Sequence, residues 1–423
     1  MRVLIYTFGT QGDIQPYVAL ADALGRAGHE AVICTAGGFR GLVEAHGVDF
    51  VPMGDEMLEL VQGAMPAMRG PRDVGSLIRR MTAAMRTSLE EQWAAAQQVE
   101  PTVIVYHPKA LGGYHIAERL EVVGVASLPL PFFTPTRQFP IPFIGHWPFG
   151  GRANELSYQF NRFTAVAYGG MINTFRRRTL GLGPLRRWDD YLHRADGSPV
   201  PILYCFSQHV RPIPDDYPSQ AHVTGYWFLD REDPWKPSEE LTEFLDRGEA
   251  PVYVGFGSMG FAKDGDRRRE DITTALARTG VRGVLATGWG GIPAGAADPN
   301  VITIDNVPHD WLFPRMAAVV HHGGAGTTAA GLRAGRPTLI CPFLGDQPFW
   351  GHQIQQLGTG PKPLPQRQLN ANRLTERIGA LLDNHGYAER AAEIAQRLRS
   401  EDGASRAVEV LESIQRANRA MSH

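Results

Sequence analysis

The chain has 423 residues, a formal net charge of −2, 43% hydrophobic and 20% charged residues, the balance of a soluble globular protein long enough for two domains. It has no long basic run, so nucleic-acid binding has no electrostatic footprint, and no window approaches a membrane span, which leaves at most peripheral membrane contact. Three cysteines, Cys34, Cys205 and Cys341, stand singly in apolar runs without disulfide or metal spacing, as buried thiols in a reducing cytoplasm do.

The chain opens on an apolar strand over residues 2–6 with no signal-peptide pattern, so a cytoplasmic location is expected. A loop carrying Gly9, Gly12 and Asp13 follows, then a helix from about Gln15 with Val18, Leu20, Ala21 and Leu24 at helical spacing, ending at Gly28. A second strand over 31–35 completes a βαβ unit and predicts a parallel sheet. A dinucleotide-binding domain would require G-x-G-x-x-G and an acidic residue at the end of that second strand; neither is present, so NAD is not expected. Residues 73–99 read as one or two long helices, 103–106 as a buried strand, and the stretch from His107 opens a helix containing His115 and Glu118. Residues 129–149 are too rich in Pro and aromatics for helix or strand and read as an ordered apolar loop. A strand over 202–206 reads as the last of the first domain, and the Pro-rich segment 211–218 as the linker. A second series of strands then falls at 251–256, 283–287, 301–304, 317–321 and 337–341, before a helical tail over 374–420.

Two stretches carry chemistry. In residues 319–328 an apolar run enters His321, His322, Gly323, Gly324, Ala325, Gly326, Thr327 and Thr328: a buried strand, a tight turn and a helix N-terminus. Glycines let backbone N–H groups converge there and the helix dipole adds partial positive charge, so the turn suits a phosphate. It lacks the Lys of a P-loop, and as a bare strand-to-helix turn it would do no more than pack tightly. The next strand ends in Gly345, Asp346 and Gln347, a carboxylate beside an amide, able to accept from and donate to sugar hydroxyls. Ligands in open α/β sheets bind at the carboxyl ends of strands, so the pairing points to a nucleotide sugar.

The run over 306–347, from Val307, Pro308, His309, Asp310 and Trp311 through His321–Thr328 to Asp346 and Gln347, resembles the donor signature of family 1 glycosyltransferases, nearest to the sterol 3-β-glucosyltransferases and their bacterial relatives. The resemblance implies the GT-B fold: two Rossmann-like doubly wound α/β domains facing across a cleft. Residues 1–216 would then bind the acceptor and 217–402 the donor, with 403–423 a C-terminal helix able to pack back on the first domain. It also implies roles. Asp13 is the general base; Ser258, His322, Gly324, Ala325, Gly326 and Thr327 hold the diphosphate; Asp346 and Gln347 hold the sugar; Val307 and His309 meet the uracil, and Trp289 lines the donor site. His321 is structural. The acceptor would meet His107, Phe132, Phe139 and Trp147, and Met53, Met57, Met65, Met68, Met81 and Met85 are either pocket or ordinary core.

Without the resemblance, Asp13 is equally an N-cap for a helix from Ile14. Asp264, Gly265 and Asp266 spell a D-x-D, but the charge-dense stretch around them reads as solvated loop and helix start, and no third ligand accompanies His321 and His322, so no metal is expected. The implied activity is inverting, metal-independent transfer of glucose from UDP-glucose, a co-substrate and not a cofactor, to a hydroxyl of a hydrophobic polycyclic acceptor. A polyketide glycosyltransferase using an NDP-hexose or deoxyhexose, a nucleotide-sugar epimerase and a non-catalytic nucleotide-sugar-binding protein are the alternatives.

Overall fold

The computed structural model describes residues 1–56, 71–144, 150–185, 188–230, 235–257, 265–287, 298–305 and 307–421. They form two compact units, one of residues 1–208, 212–229 and 402–423, the other of residues 209–211 and 230–401.

The first unit is built on seven parallel strands: β1 (Arg2–Tyr6), β2 (Glu30–Ala36), β3 (Asp49–Met53), β4 (Val103–Tyr106), β5 (Val123–Leu128), β6 (Ile202–Tyr204) and β7 (Ala221–Val223), in the order β3-β2-β1-β4-β5-β6-β7. β4, β5 and β6 are buried at every residue, as a parallel sheet covered on both faces requires. The helix Gln11–Arg26 covers one face with Ile14, Tyr17, Val18, Ala21 and Leu24. The C-terminal helix Gly403–Met421 lies against that helix and adds Ala404, Ala407, Val408 and Leu411 to the same core. His29 ties the two: its Nε2 is 2.9 Å from Glu412 Oε1 and its Nδ1 is 3.1 Å from the N-terminal amine.

The second unit holds five parallel strands, β8 (Val252–Gly255), β9 (Gly283–Ala286), β10 (Val301–Ile304), β11 (Ala318–His321) and β12 (Thr338–Ile340), in the order β10-β9-β8-β11-β12. In both sheets the chain winds outward one way and then reverses, between β1 and β4 in the first and between β8 and β11 in the second. The loops leaving a reversal point diverge and open a crevice at the carboxyl edge, where ligands of open α/β sheets bind.

Several sequence expectations are corrected. The helix after β1 begins at Gln11, not near Gln15: Pro16 forfeits one backbone bond, to Gly12, and the helix carries it in its second turn. β3, β5 and β7 were not anticipated, and the strand at 202–204 is not the last of the first sheet, because β7 pairs with it. The first unit therefore runs on through Leu229, and the division expected after residue 216 lies later in the chain.

Leu411 is 1% exposed in the core of the first unit. Leu411→Ala is expected to cost that unit about 2–5 kcal/mol. Urea unfolding checks it; a change below about 0.5 kcal/mol, the scale of a surface substitution, would show that the terminal helix is not part of the core.

Candidate functional site

At the reversal point of the first sheet, the loop after β1 folds around one carboxylate. Asp13 sits in the first turn of the helix Gln11–Arg26, and its Oδ2 accepts the Thr10 backbone N–H at 2.9 Å and the Thr10 hydroxyl at 3.2 Å. The Thr7 hydroxyl donates to the Asp13 carbonyl at 2.9 Å. Gly9 has φ +143°, and a Cβ there would fall inside the Asp13 carboxylate, so only glycine lets the loop close this tightly. From the loop after β4, Lys109 Nζ donates to Asp13 Oδ1 at 2.7 Å, while the carboxylate side chain stays 19% exposed. Burial pushes the Asp13 carboxyl up, but the Lys109 ammonium, His107 and the Thr10 N–H outweigh it and hold the group below the usual carboxylate range.

His107 is buried, and its Nδ1 accepts the Lys109 backbone N–H at 3.0 Å, which places the ring proton on Nε2. Burial and the adjacent Lys109 charge drive this imidazole down to about 3. It is therefore neutral beside an ionised Asp13.

At the reversal point of the second sheet, β11 ends at His321, and Gly324 is the N-cap of the helix Ala325–Arg333. The first intrahelical bond runs from Thr328 N–H to Gly324 C=O, leaving the N–H groups of Ala325, Gly326 and Thr327 without intrahelical acceptors. The His322 ring is boxed by missing side chains: a Cβ on Gly324 would meet its Nε2 at 2.7 Å, and one on Gly257, at φ +59°, its Cε1 at 3.0 Å. Burial lowers His322 to about 4, so its neutral ring is a hydrogen-bonding group rather than a cation. His321 is fully buried, accepts the Gly323 N–H at 3.0 Å and shapes the turn. Thr328 turns inward, donating its hydroxyl to Gly324 C=O at 2.9 Å, so of the two threonines only Thr327 faces outward with the turn.

The loop after β12 is closed by Gln347, which is 5% exposed; its Oε1 accepts the N–H groups of Phe343 at 2.7 Å and Leu344 at 3.2 Å. That occupies both lone pairs, so its NH2 is the end chemically suited to a ligand. Asp346 Oδ2 accepts the Trp350 indole N–H at 2.9 Å. Partly buried Val307 packs on the second unit's core, and the His309 ring stacks on Phe313 at 4.3 Å.

Of the expected acceptor contacts, Phe132 meets Phe143 edge-on at 5.2 Å, and the row continues through Phe160 at 6.2 Å to Phe163 at 5.8 Å, with Phe163 57% exposed. Phe139 is buried within its loop, and His115 is fully buried against Arg176. Met53 belongs to the core, whereas Met81 and Met85 pack with Phe8 in a small cluster of their own. Ser258, Trp289, Trp147, Met57, Met65, Met68 and Asp264 lie outside the described residues.

Residues 3–137 match the glycosyltransferase family 28 N-terminal domain, and 292–414 match the C-terminal domain described as erythromycin biosynthesis protein CIII-like. Sterol 3-beta-glucosyltransferase UGT80B1 of Arabidopsis thaliana is 37% identical over 97% of this chain and 67% of its own length. The chain belongs to the family 1 glycosyltransferases of GT-B fold. UGT80A2 of the same plant is 36% identical over 96% of this transferase, which spans 64% of that relative, and the sterol 3-beta-glucosyltransferase of Cryptococcus neoformans is 33% identical over 97% of it, which spans only 27%. Among solved structures, the glycotransferase of kitacinnamycin aligns with a TM-score of 0.73 at 18% identity, covering 97% of this chain and 98% of that one. Glycosyltransferase VinC in complex with DTDP aligns at 0.67 and 20%, covering 99% and 100%. At these identities the structures establish the fold alone.

Sequence reasoning missed Lys109 and Thr10 in this transferase. The Thr10–Asp13 spacing of a first-turn carboxylate behind a threonine was a usable signal. Nothing local pointed to Lys109, which is 96 residues from its partner.

The buried imidazoles make stability pH-dependent. His309 and His322 fall to about 4 and His107 to about 3 from an ordinary 6.5, chiefly by burial. Between those values and 6.5 the unfolded chain binds more protons than the folded one, so stability is full above pH 6.5 and declines as pH drops toward 4. Thermal unfolding of the transferase across this range is expected to show a falling midpoint; a flat profile would mean these rings are hydrated.

Proposed function

We propose that this glycosyltransferase moves glucose from UDP-glucose to the hydroxyl of a sterol, with inversion, giving a β-glycoside. The observation that carries the proposal is the ionised Asp13 carboxylate, locked by Thr10 yet partly exposed at the carboxyl edge of its sheet. Such a group is placed to accept the proton of a hydroxyl as that oxygen attacks an anomeric carbon. A carboxylate is far weaker as a base than an alkoxide, so the proton moves late, as the new bond forms. One displacement by one nucleophile inverts the sugar carbon, and an oxocarbenium-like transition state is expected, as in glycoside hydrolysis.

The donor role rests on the second unit. The N–H groups of Ala325, Gly326 and Thr327 and the neutral His322 form a donor set for the departing diphosphate. We propose that these donors, rather than a metal ion, meet the leaving charge. Asp346 and the Gln347 NH2 are proposed to hold the sugar hydroxyls, and Val307 and His309 to meet the uracil. Specificity for a sterol is supported by the names of relatives at 33–37% identity over 97% of the chain. The exposed aromatic row from Phe132 to Phe163 suits a rigid apolar acceptor.

The test is mass-spectrometric turnover with UDP-glucose and a panel of sterols and polyketide aglycones. A sterol gaining one hexose, with kcat lowered roughly 10²–10⁴-fold in Asp13→Ala, is the expected result. Adducts only on polyketides would move the acceptor class, and full activity in Asp13→Ala would remove the base. Separately, Gly324→Ala displaces His322 and is expected to weaken UDP binding at least about tenfold, the cost of roughly one hydrogen bond to a charged group. Calorimetry reads this directly; unchanged affinity would place the diphosphate elsewhere.

A further inference from the structure

Lys109 has no role in the scheme above, yet its Nζ lies 2.7 Å from Asp13 Oδ1. The backbone that carries it is fixed. His107 N–H donates to Tyr6 C=O at 2.9 Å, joining the end of β4 to the end of β1, and the Lys109 N–H is held by His107 Nδ1. The two loops at the reversal point of the first sheet thus present an ammonium and a carboxylate to each other by construction.

We propose that Lys109 is a positioning residue acting through Asp13: it keeps the base ionised and fixes Oδ1 for the acceptor hydroxyl. This rests on the reading of Asp13 as the base. Oδ2 is committed to Thr10, so the proton must arrive at Oδ1, whose second lone pair remains after Lys109 takes one. In the transfer the acceptor O–H proton passes to Asp13 and the acceptor oxygen bonds to the anomeric carbon. The bond from that carbon to the diphosphate oxygen breaks, and its electron pair leaves with UDP. Lys109 keeps its own proton throughout. Its charge faces a carboxylate before the step and a neutral acid after it, which makes Asp13 a slightly weaker base but returns the proton to water quickly and keeps the enzyme primed at lower pH.

The titratable groups facing Asp13 are Lys109 and His107 from the loop after β4 and Tyr17 from its own helix. Burial holds His107 neutral, down to about 3, and the Tyr17 phenol protonated, donating to Ser127 C=O. Neither changes charge in the working range, so Lys109 is the charge that tunes the base.

The experiment uses the full chain labelled with [γ-¹³C]aspartate, with the Asp13 signal assigned by Asp13→Asn, in wild type, Lys109→Met and Lys109→Arg. Carboxyl titration is followed beside the pH profile of kcat at saturating UDP-glucose and sterol. Lys109 is 51% exposed, so solvent screens part of its charge. Expected is a rise, equal in the two, of the Asp13 midpoint and of the acid limb of kcat in Lys109→Met, restoration in Lys109→Arg, and an unchanged KM for UDP-glucose. An unmoved Asp13 midpoint, or an acid limb that stays put while the midpoint moves, overturns the proposal. A wild-type chain that titrates as described but transfers no sugar overturns the functional reading and the catalytic role together, leaving the ion pair as a structural contact.

Discussion

Parallel strands that reverse their winding once, at the middle of the sheet, are the constraint on which the rest of this molecule depends. Strands buried on both faces have no side chain to spare for chemistry, so every polar group with a task must leave from a strand end. The reversal decides which ends matter. In the first sheet it brings the loop after β1 against the loop after β4, and there stand Asp13, His107 and Lys109. In the second it brings Gly257 against His322. One topological rule, applied twice, accounts for the position of the Asp13 carboxylate in one unit and of the glycine turn beside His322 in the other.

Within that frame the two sites use opposite electrostatics. The first domain keeps a carboxylate charged against burial by surrounding it with one ammonium and one backbone N–H. The second keeps its imidazoles uncharged by withdrawing them from water, and its glycine turn presents backbone dipoles instead of ions. Fixed dipoles of this kind cost little reorganisation when charge develops on them.

What the sequence disclosed follows from how local each signal was. Long apolar runs such as those of β1, β4 and β11 were legible, and so was the glycine turn after β11, because each is a contiguous pattern. β3 contains Asp49 and Pro52, β5 is interrupted by Gly124 and Ser127, and β7 is three residues long; these strands exist because neighbours already in place offer them hydrogen bonds. The same holds at the site. Asp13 and His322 were singled out through their motifs, but the Lys109 contact spans the distance from one loop to another and leaves no mark in either. Gln347 was read for its chemistry, while half of its amide proves to be the latch of its own loop.

The helix Gly403–Met421 carries a consequence for how the polypeptide comes into being. Ala407, Val408 and Leu411 fill the core that Ile14, Val18 and Leu24 begin. Those residues leave the ribosome well before the ones that cover them, with the second unit emitted between. The first unit therefore keeps an apolar helix face uncovered for as long as the second unit takes to be made, while the second unit's described strands are all contiguous within it.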